Sequence, residues 1–167
     1  MKKIGIVTDS HSSISQEEAK KLGIFVLPMP FYIDGECYYE SVTLSRELFF
    51  EKLTSGADIS TSQPSPTAVM EIWDKALEEY EKILYMPISS GLSSSYNTAM
   101  MLAQEEKYEG RVLVVDDGQV AAPLHQMILD TLDMIEKGYE AEHIRELLEK
   151  AGDRMMIYIA LQTLEFL

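Results

Sequence analysis

Five short apolar runs, separated by segments with helical spacing, constrain the fold of this chain more than any other feature. The runs are KIGIVTD, GIFVLPM, KILYMPI, RVLVVDD and RMMIYIAL, which begin at residues 3, 23, 82, 111 and 154. They are apolar nearly throughout, as strands buried on both faces are. Because strands that alternate with helices form a parallel sheet covered on both sides, the pattern predicts a three-layer α/β/α fold with about four parallel strands.

Helical periodicity is clearest in two of the intervening segments. Apolar residues recur at spacings of three and four, at positions 69, 72, 73, 76, 77 and 80 and at positions 124, 127, 128, 132 and 135. Ser65 is placed to cap the first of these helices and Pro66 to begin it. The pair Asp34 and Gly35 stands between two aromatic runs and predicts a β-hairpin outside the main sheet.

Composition excludes several classes of protein. A chain of 167 residues with 46% apolar content predicts one globular domain with a proper core. The net charge of −14 argues against nucleic acid and anionic membranes as partners, since both are bound through Lys and Arg. The single cysteine, Cys37, forms no internal disulfide, and no export signal or membrane span is predicted. We therefore expect a soluble, cytoplasmic protein without an integral membrane segment.

Four strand-to-helix turns are candidates for chemistry, because ligands of open α/β sheets bind at the carboxyl ends of the strands. The turns are TDSHSS, STSQPS, SSGLSSS and DDGQVAAP, which begin at residues 8, 60, 89 and 116. The third turn lies within residues 83–104, a stretch without any charged side chain. Its serines offer hydroxyl groups and its glycine exposes the backbone, so this turn is the strongest candidate for a binding site.

The serine turn has the chemistry of an anion site. A helix beginning near Leu92 would point its unpaired N–H groups out of the sheet, where Gly91 lets a ligand approach the backbone. The hydroxyls of residues 93–95 add donors. A serine-rich helix start that caps itself is the alternative explanation. The absence of Lys and Arg favours a singly charged carboxylate over a phosphate as the ligand.

Motifs for catalysis, phosphate binding or metal binding are incomplete in this sequence. The sequence GLSSS resembles half of a nucleophile elbow around Ser93, but Ser95 replaces its second glycine. Phosphate-binding glycine loops are absent from the sequence. Asp9 is a magnesium ligand or a brace for the next turn, and the adjacent acids at 116 and 117 are metal ligands or helix caps. The histidines are widely separated and zinc spacing is missing, so no cofactor or metal is predicted.

The order of several motifs along the chain resembles the DegV family of bacterial lipid-binding proteins. These motifs are KIGIVTDS, TSQPSP, YMPISSGLSSSYNTA, VLVVDD and LQTLEFL. The resemblance implies a Rossmann-like domain that buries a long-chain fatty acid in an apolar tunnel and binds its carboxylate through hydroxyls and backbone amides. It also implies that a separate fatty acid kinase acts on the bound acid and that this chain has no catalytic residues of its own.

The resemblance also implies particular binding residues. Thr61 and Ser93 occupy the positions of the two hydroxyl donors to the carboxylate. Ser62, Gly91 and Ser94 are secondary candidates through their backbone groups. The alternative is an enzyme on a similar parallel sheet, either a serine hydrolase using Ser93 or a phosphotransferase.

The same resemblance implies a two-part domain organisation. Residues 1–154 correspond to the N-terminal α/β domain, and residues 155–167 to the first strand of a second, truncated domain with its own sheet. Without that second domain we expect weak fatty-acid binding and self-association through the open apolar face.

Overall fold

A computed structural model of the chain describes residues 2–39 and 42–158. The strands are β1 (Lys2–Asp9), β2 (Phe25–Leu27), β3 (Pro30–Ile33), β4 (Glu36–Tyr39), β5 (Ile59–Thr61), β6 (Tyr80–Met86) and β7 (Val112–Val114). The helices are α1 (Gln16–Leu22), α2 (Arg46–Thr54), α3 (Pro66–Leu77), α4 (Ser95–Leu102), α5 (Ala121–Glu136) and α6 (Ala141–Gly152). A 3-10 turn, Ser10–Ser12, joins β1 to α1.

The main sheet has four strands in the order β2-β1-β6-β7, and every pairing in it is parallel. In the register, Val7 of β1 lies between Phe25 of β2 and Tyr85 of β6. The predicted central sheet of about four parallel strands is therefore confirmed. Its central strands are buried along most of their length, which explains why they read as continuous apolar runs.

Helices cover both faces of this sheet. Ile6 and Leu84 point into one core with α1, α5 and α6, whereas Val7 and Tyr85 point into the other with α3 and α4. Adjacent strand residues thus serve opposite cores, as the two-residue period of a strand requires. The three-layer α/β/α architecture is confirmed. None of the helices within the described ranges is long and apolar enough to cross a membrane.

A small antiparallel sheet stands beside the main one, in the order β4-β3-β5. The predicted hairpin is present, with Asp34 and Gly35 both at positive φ in its turn. Strand β5 was not expected, because its residues lie in a stretch rich in turn-forming residues. A separate core formed by Phe31, Ile33 and Leu44, with Phe49 of α2 packed against it, stabilises this small sheet.

The start of α3 agrees with prediction and the start of α4 does not. Ser65 accepts a hydrogen bond from Ala68 N at 3.2 Å, and Pro66 is the first residue of α3. The helix expected near Leu92 begins instead at Ser95. Ser89 O accepts hydrogen bonds from the N–H groups of Leu92 and Ser93 and closes a turn that delays the helix.

The predicted C-terminal strand falls largely outside the described residues. Positions 155–158 have no strand structure, and 159–167 are not described. The assignment of 155–167 to a second domain therefore remains a prediction.

Candidate ligand-binding site

A cleft of about 560 Å³ lies at the carboxyl end of β1, between the α1 side of the main sheet and the small sheet with α2. Eight of its sixteen lining residues are apolar, among them Ile14, Val26, Phe31, Leu44, Phe49 and Phe50. The other eight are polar, and six of these carry hydroxyl groups. The cleft thus combines apolar walls with hydroxyl donors, which suits an amphipathic ligand.

Two of the predicted site residues, Thr61 and Ser62, line this cleft at the end of β5. Ser62 is engaged locally, since its N–H donates to Pro30 O at 3.4 Å and its hydroxyl to Gln63 O at 3.1 Å. The exposed Thr61 side chain makes no hydrogen bond within the described part of the chain. Of this pair, Thr61 is the residue whose hydroxyl is available to a ligand.

The other three predicted residues lie in the turn after β6 and are not among the residues that line the cleft. Gly91 N–H donates to Ser89 Oγ at 3.2 Å, and Ser93 Oγ accepts from Ser95 N at 3.2 Å. Ser94 precedes α4 without a side-chain capping bond. Several of the N–H groups expected to be open are therefore used within the turn, which is in part self-capping.

A hydrogen bond links the two groups of predicted residues. Thr98 Oγ1, in α4, donates to Gln63 Oε1 at 3.2 Å, and Gln63 follows Thr61 and Ser62 in the chain. The segment after β5 is therefore attached to the helix that follows the serine turn.

Asp9 braces the turns that follow two neighbouring strands. Its side chain is fully buried, and its two oxygens accept hydrogen bonds from His11 N and Ile88 N, each at 2.9 Å. The carboxylate thereby connects the turns that follow β1 and β6. No group of three or more His, Cys, Asp or Glu suited to a metal ion occurs within the described ranges.

His11 lines the cleft, although the sequence analysis did not single it out among the histidines. Its Nδ1 lies 3.3 Å from Asp9 Oδ1, at ion-pair distance. The available signal was the Asp-x-His spacing immediately after a buried strand, at the edge where ligands bind.

The two adjacent acids after β7 support neighbouring loops. Asp116 Oδ1 accepts from Ser90 N at 3.3 Å and from Gly118 N at 3.2 Å, while Asp117 Oδ1 accepts from Gln119 N at 2.9 Å. Burial raises the pKa of Asp117 to about 6, against the lowering effect of the Gln119 hydrogen bond. The charges of Asp116 and Asp9 contribute to the rise.

Among the described residues, the hydrogen-bond partner of the Ser93 hydroxyl is another serine. Ser93 Oγ lies 2.8 Å from Ser95 Oγ, and in the described structure no histidine is hydrogen-bonded to it. A serine nucleophile requires an adjacent general base. The geometry therefore gives no support to the hydrolase alternative.

Comparison with known proteins assigns the family. The DegV family model matches residues 3–167. This chain belongs to the DegV family. A DegV domain-containing protein of Deinococcus radiodurans is 33% identical over 165 residues, which cover 98% of this chain and 58% of the relative. Another from Caldanaerobacter subterraneus is 29% identical over 167 residues, with coverage of 100% and 59%. The chain thus spans less than two thirds of the length of either DegV relative.

Solved structures of DegV proteins share the fold. A Thermus thermophilus DegV protein described as binding fatty acid is 32% identical with a TM-score of 0.81, over 90% of this chain and 54% of that one. A Thermotoga maritima protein described as revealing fatty-acid-binding function is 25% identical with a TM-score of 0.77, with coverage of 90% and 55%. A Bacillus subtilis DegV protein, 22% identical with a TM-score of 0.79 and coverage of 92% and 55%, supports the fold alone.

Proposed function

We propose that this chain forms one side of a binding site for a long-chain fatty acid. The acyl chain occupies the cleft, and the carboxylate is bound by the hydroxyls of Thr61 and Ser93. The observation that carries the proposal is the composition of the cleft, with apolar walls beside a row of hydroxyls. The fatty-acid-binding relative from Thermus thermophilus, at 32% identity, supports the same assignment.

The polar groups suit a carboxylate better than a phosphate. The sixteen residues that line the cleft include no Lys or Arg, and hydroxyl donors suit a single charge spread over two oxygens. Phosphate sites usually add a cationic side chain or a metal ion. A fatty acid also supplies the apolar surface that the walls of the cleft require.

The hydrogen bonds of the serine turn leave Ser93 able to donate. When Ser95 Oγ donates to Ser93 Oγ across their 2.8 Å separation, the Ser93 proton is directed away from Ser95. Ser62, Gly91 and Ser94 act through the backbone and are secondary. Their N–H groups complete the carboxylate site where local hydrogen bonds are weak, as for Ser62 N at 3.4 Å from Pro30 O.

The chain acts as a carrier in this proposal and contributes no catalytic group. A separate fatty acid kinase phosphorylates the bound acid, so the role of this chain is to keep the acyl chain out of water and to present the carboxyl end. Each buried methylene of the ligand contributes roughly 0.8 kcal/mol, and the affinity therefore depends mainly on how much of the acyl chain is enclosed.

Calorimetric titration with hexadecanoic acid tests the carboxylate assignment. Thr61→Val and Ser93→Ala should each weaken binding by about 1–3 kcal/mol, because each removes a hydrogen bond to a charged group. Thr67→Val is the matched control, since Thr67 is exposed at the start of α3 and does not line the cleft. Parent-like affinity in both site variants would show that these hydroxyls do not bind the carboxylate.

A further inference from the structure

The cleft contains a single candidate for a positive charge. Of the sixteen residues that line it in the described structure, His11 is the one with an ionisable side chain. Its side chain is 34% exposed and therefore accessible from the cleft. In a chain with a net charge of −14, an approaching carboxylate is otherwise repelled by the overall field of the protein.

A buried carboxylate fixes the position of His11. Asp9 has no exposed surface, accepts a hydrogen bond from His11 N at 2.9 Å and lies 3.3 Å from His11 Nδ1. Asp9 is itself held by Ile88 N at 2.9 Å, so the pair is anchored to the ends of two central strands. These contacts hold the His11 ring beside the carboxyl end of β1.

The other two histidines have different surroundings. His125 lies 3.3 Å from the partly exposed Glu18, and His143 is exposed and stacks on Tyr139. Neither lines the cleft. The combination of a buried acidic partner and a place in the cleft belongs to His11.

We propose that His11 is a direct binding residue for the carboxylate of the ligand and supplies the positive charge that the hydroxyls lack. The inference rests on the proposed function, and it adds an electrostatic contact to the hydrogen bonds of Thr61 and Ser93. Asp9 holds the imidazole in position, while the apolar walls reduce screening of the contact by water. His11 therefore makes the site selective for an acid over an alcohol of the same chain length.

The test compares hexadecanoic acid with 1-hexadecanol, both delivered from cyclodextrin and titrated by calorimetry. His11→Gln should weaken binding of the acid roughly tenfold or more, since an interaction with a charged group is lost, and should leave binding of the alcohol nearly unchanged. His11→Ala provides a second variant, and His143→Gln is the matched control outside the cleft. Circular dichroism confirms that each variant is folded.

Each outcome decides between the inference and the function on which it rests. Selective loss of acid binding in both His11 variants, with His143→Gln like the parent, supports the inference. If the parent binds the acid but the His11 variants lose acid and alcohol equally, or lose neither, His11 is not a carboxylate partner and the proposed function stands. A parent chain that binds neither compound overturns both.

Discussion

The buried carboxyl group of Asp117 should make the stability of this protein depend on pH in an unusual direction. The residue is 1% exposed, and its Oδ2 has no hydrogen-bond partner among the described residues. Burial raises the pKa of Asp117 from 3.8 to about 6. The folded protein therefore binds this proton more tightly than the unfolded chain. The contribution to stability is fully present below the unfolded pKa and is lost as the pH rises through the folded pKa.

The size of the effect follows from the change in pKa. A rise from 3.8 to about 6 corresponds to roughly 3 kcal/mol of differential stabilisation, at about 1.4 kcal/mol for each tenfold change in proton affinity. Asn has no proton to lose, and its side-chain oxygen can still accept the hydrogen bond from Gln119 N–H. The difference in free energy of unfolding between Asp117→Asn and the parent should therefore grow as the pH rises from 4 to 7, by up to about 3 kcal/mol in favour of the variant.

Urea unfolding at constant ionic strength, followed by circular dichroism at several pH values from 4 to 7, measures this difference. Asp130→Asn is the matched control, because Asp130 is exposed on α5 and bonds only to Gln126 in the described structure. A difference between parent and Asp117→Asn that stays constant across this range would refute the reasoning. It would show that Asp117 is solvated enough to ionise normally.

Two further predictions concern stability. Gly5→Ala should cost about 1–3 kcal/mol in thermal unfolding, because overpacking forces neighbours to move. An added Cβ would lie 2.6 Å from Tyr80 Cγ, and the Tyr80 hydroxyl is tied to Gly23 O at 2.8 Å. Ser65→Ala should cost about 1 kcal/mol in urea unfolding and Ser65→Asn much less, since only the latter keeps an acceptor for Ala68 N–H. Equal stability of Gly5→Ala and parent, or of the two Ser65 variants, would contradict the respective argument.

The main sheet was predictable because strands buried on both faces have a continuous apolar sequence, which can be recognised without knowledge of tertiary contacts. Residues such as Ile6 and Val7 face opposite cores, so the strand is apolar throughout and stands out in the sequence. Strand β5 has no such pattern, because Ser60 and Thr61 are exposed and the strand forms only through pairing with β3. Short edge strands of this kind are determined by tertiary contacts.

Part of the candidate site was also predictable from the sequence. Thr61 and Ser62 were candidates because they lie in the turn-rich segment before α3, and both line the cleft at the end of β5. The late start of α4 was not predictable, since nothing in a run of serines shows that Ser89 O will accept two N–H groups. The role of His11 in the cleft depends on the small sheet and α2 facing the β1 turn, a relation between segments distant in sequence.

The two walls of the cleft belong to different hydrophobic cores. Ile14 belongs to the core beneath α1, α5 and α6, whereas Phe31 and Leu44 belong to the separate core of the small sheet. We therefore expect a change in the distance between the walls to leave the interior of either core packed as it is, and repacking a core is the costly step in deforming a protein. Bent and straight acyl chains differ in the width they need more than in their chemistry. Under the proposed function we therefore expect this cleft to accept both, and the range of acyl chains to depend on the architecture more than on any one side chain.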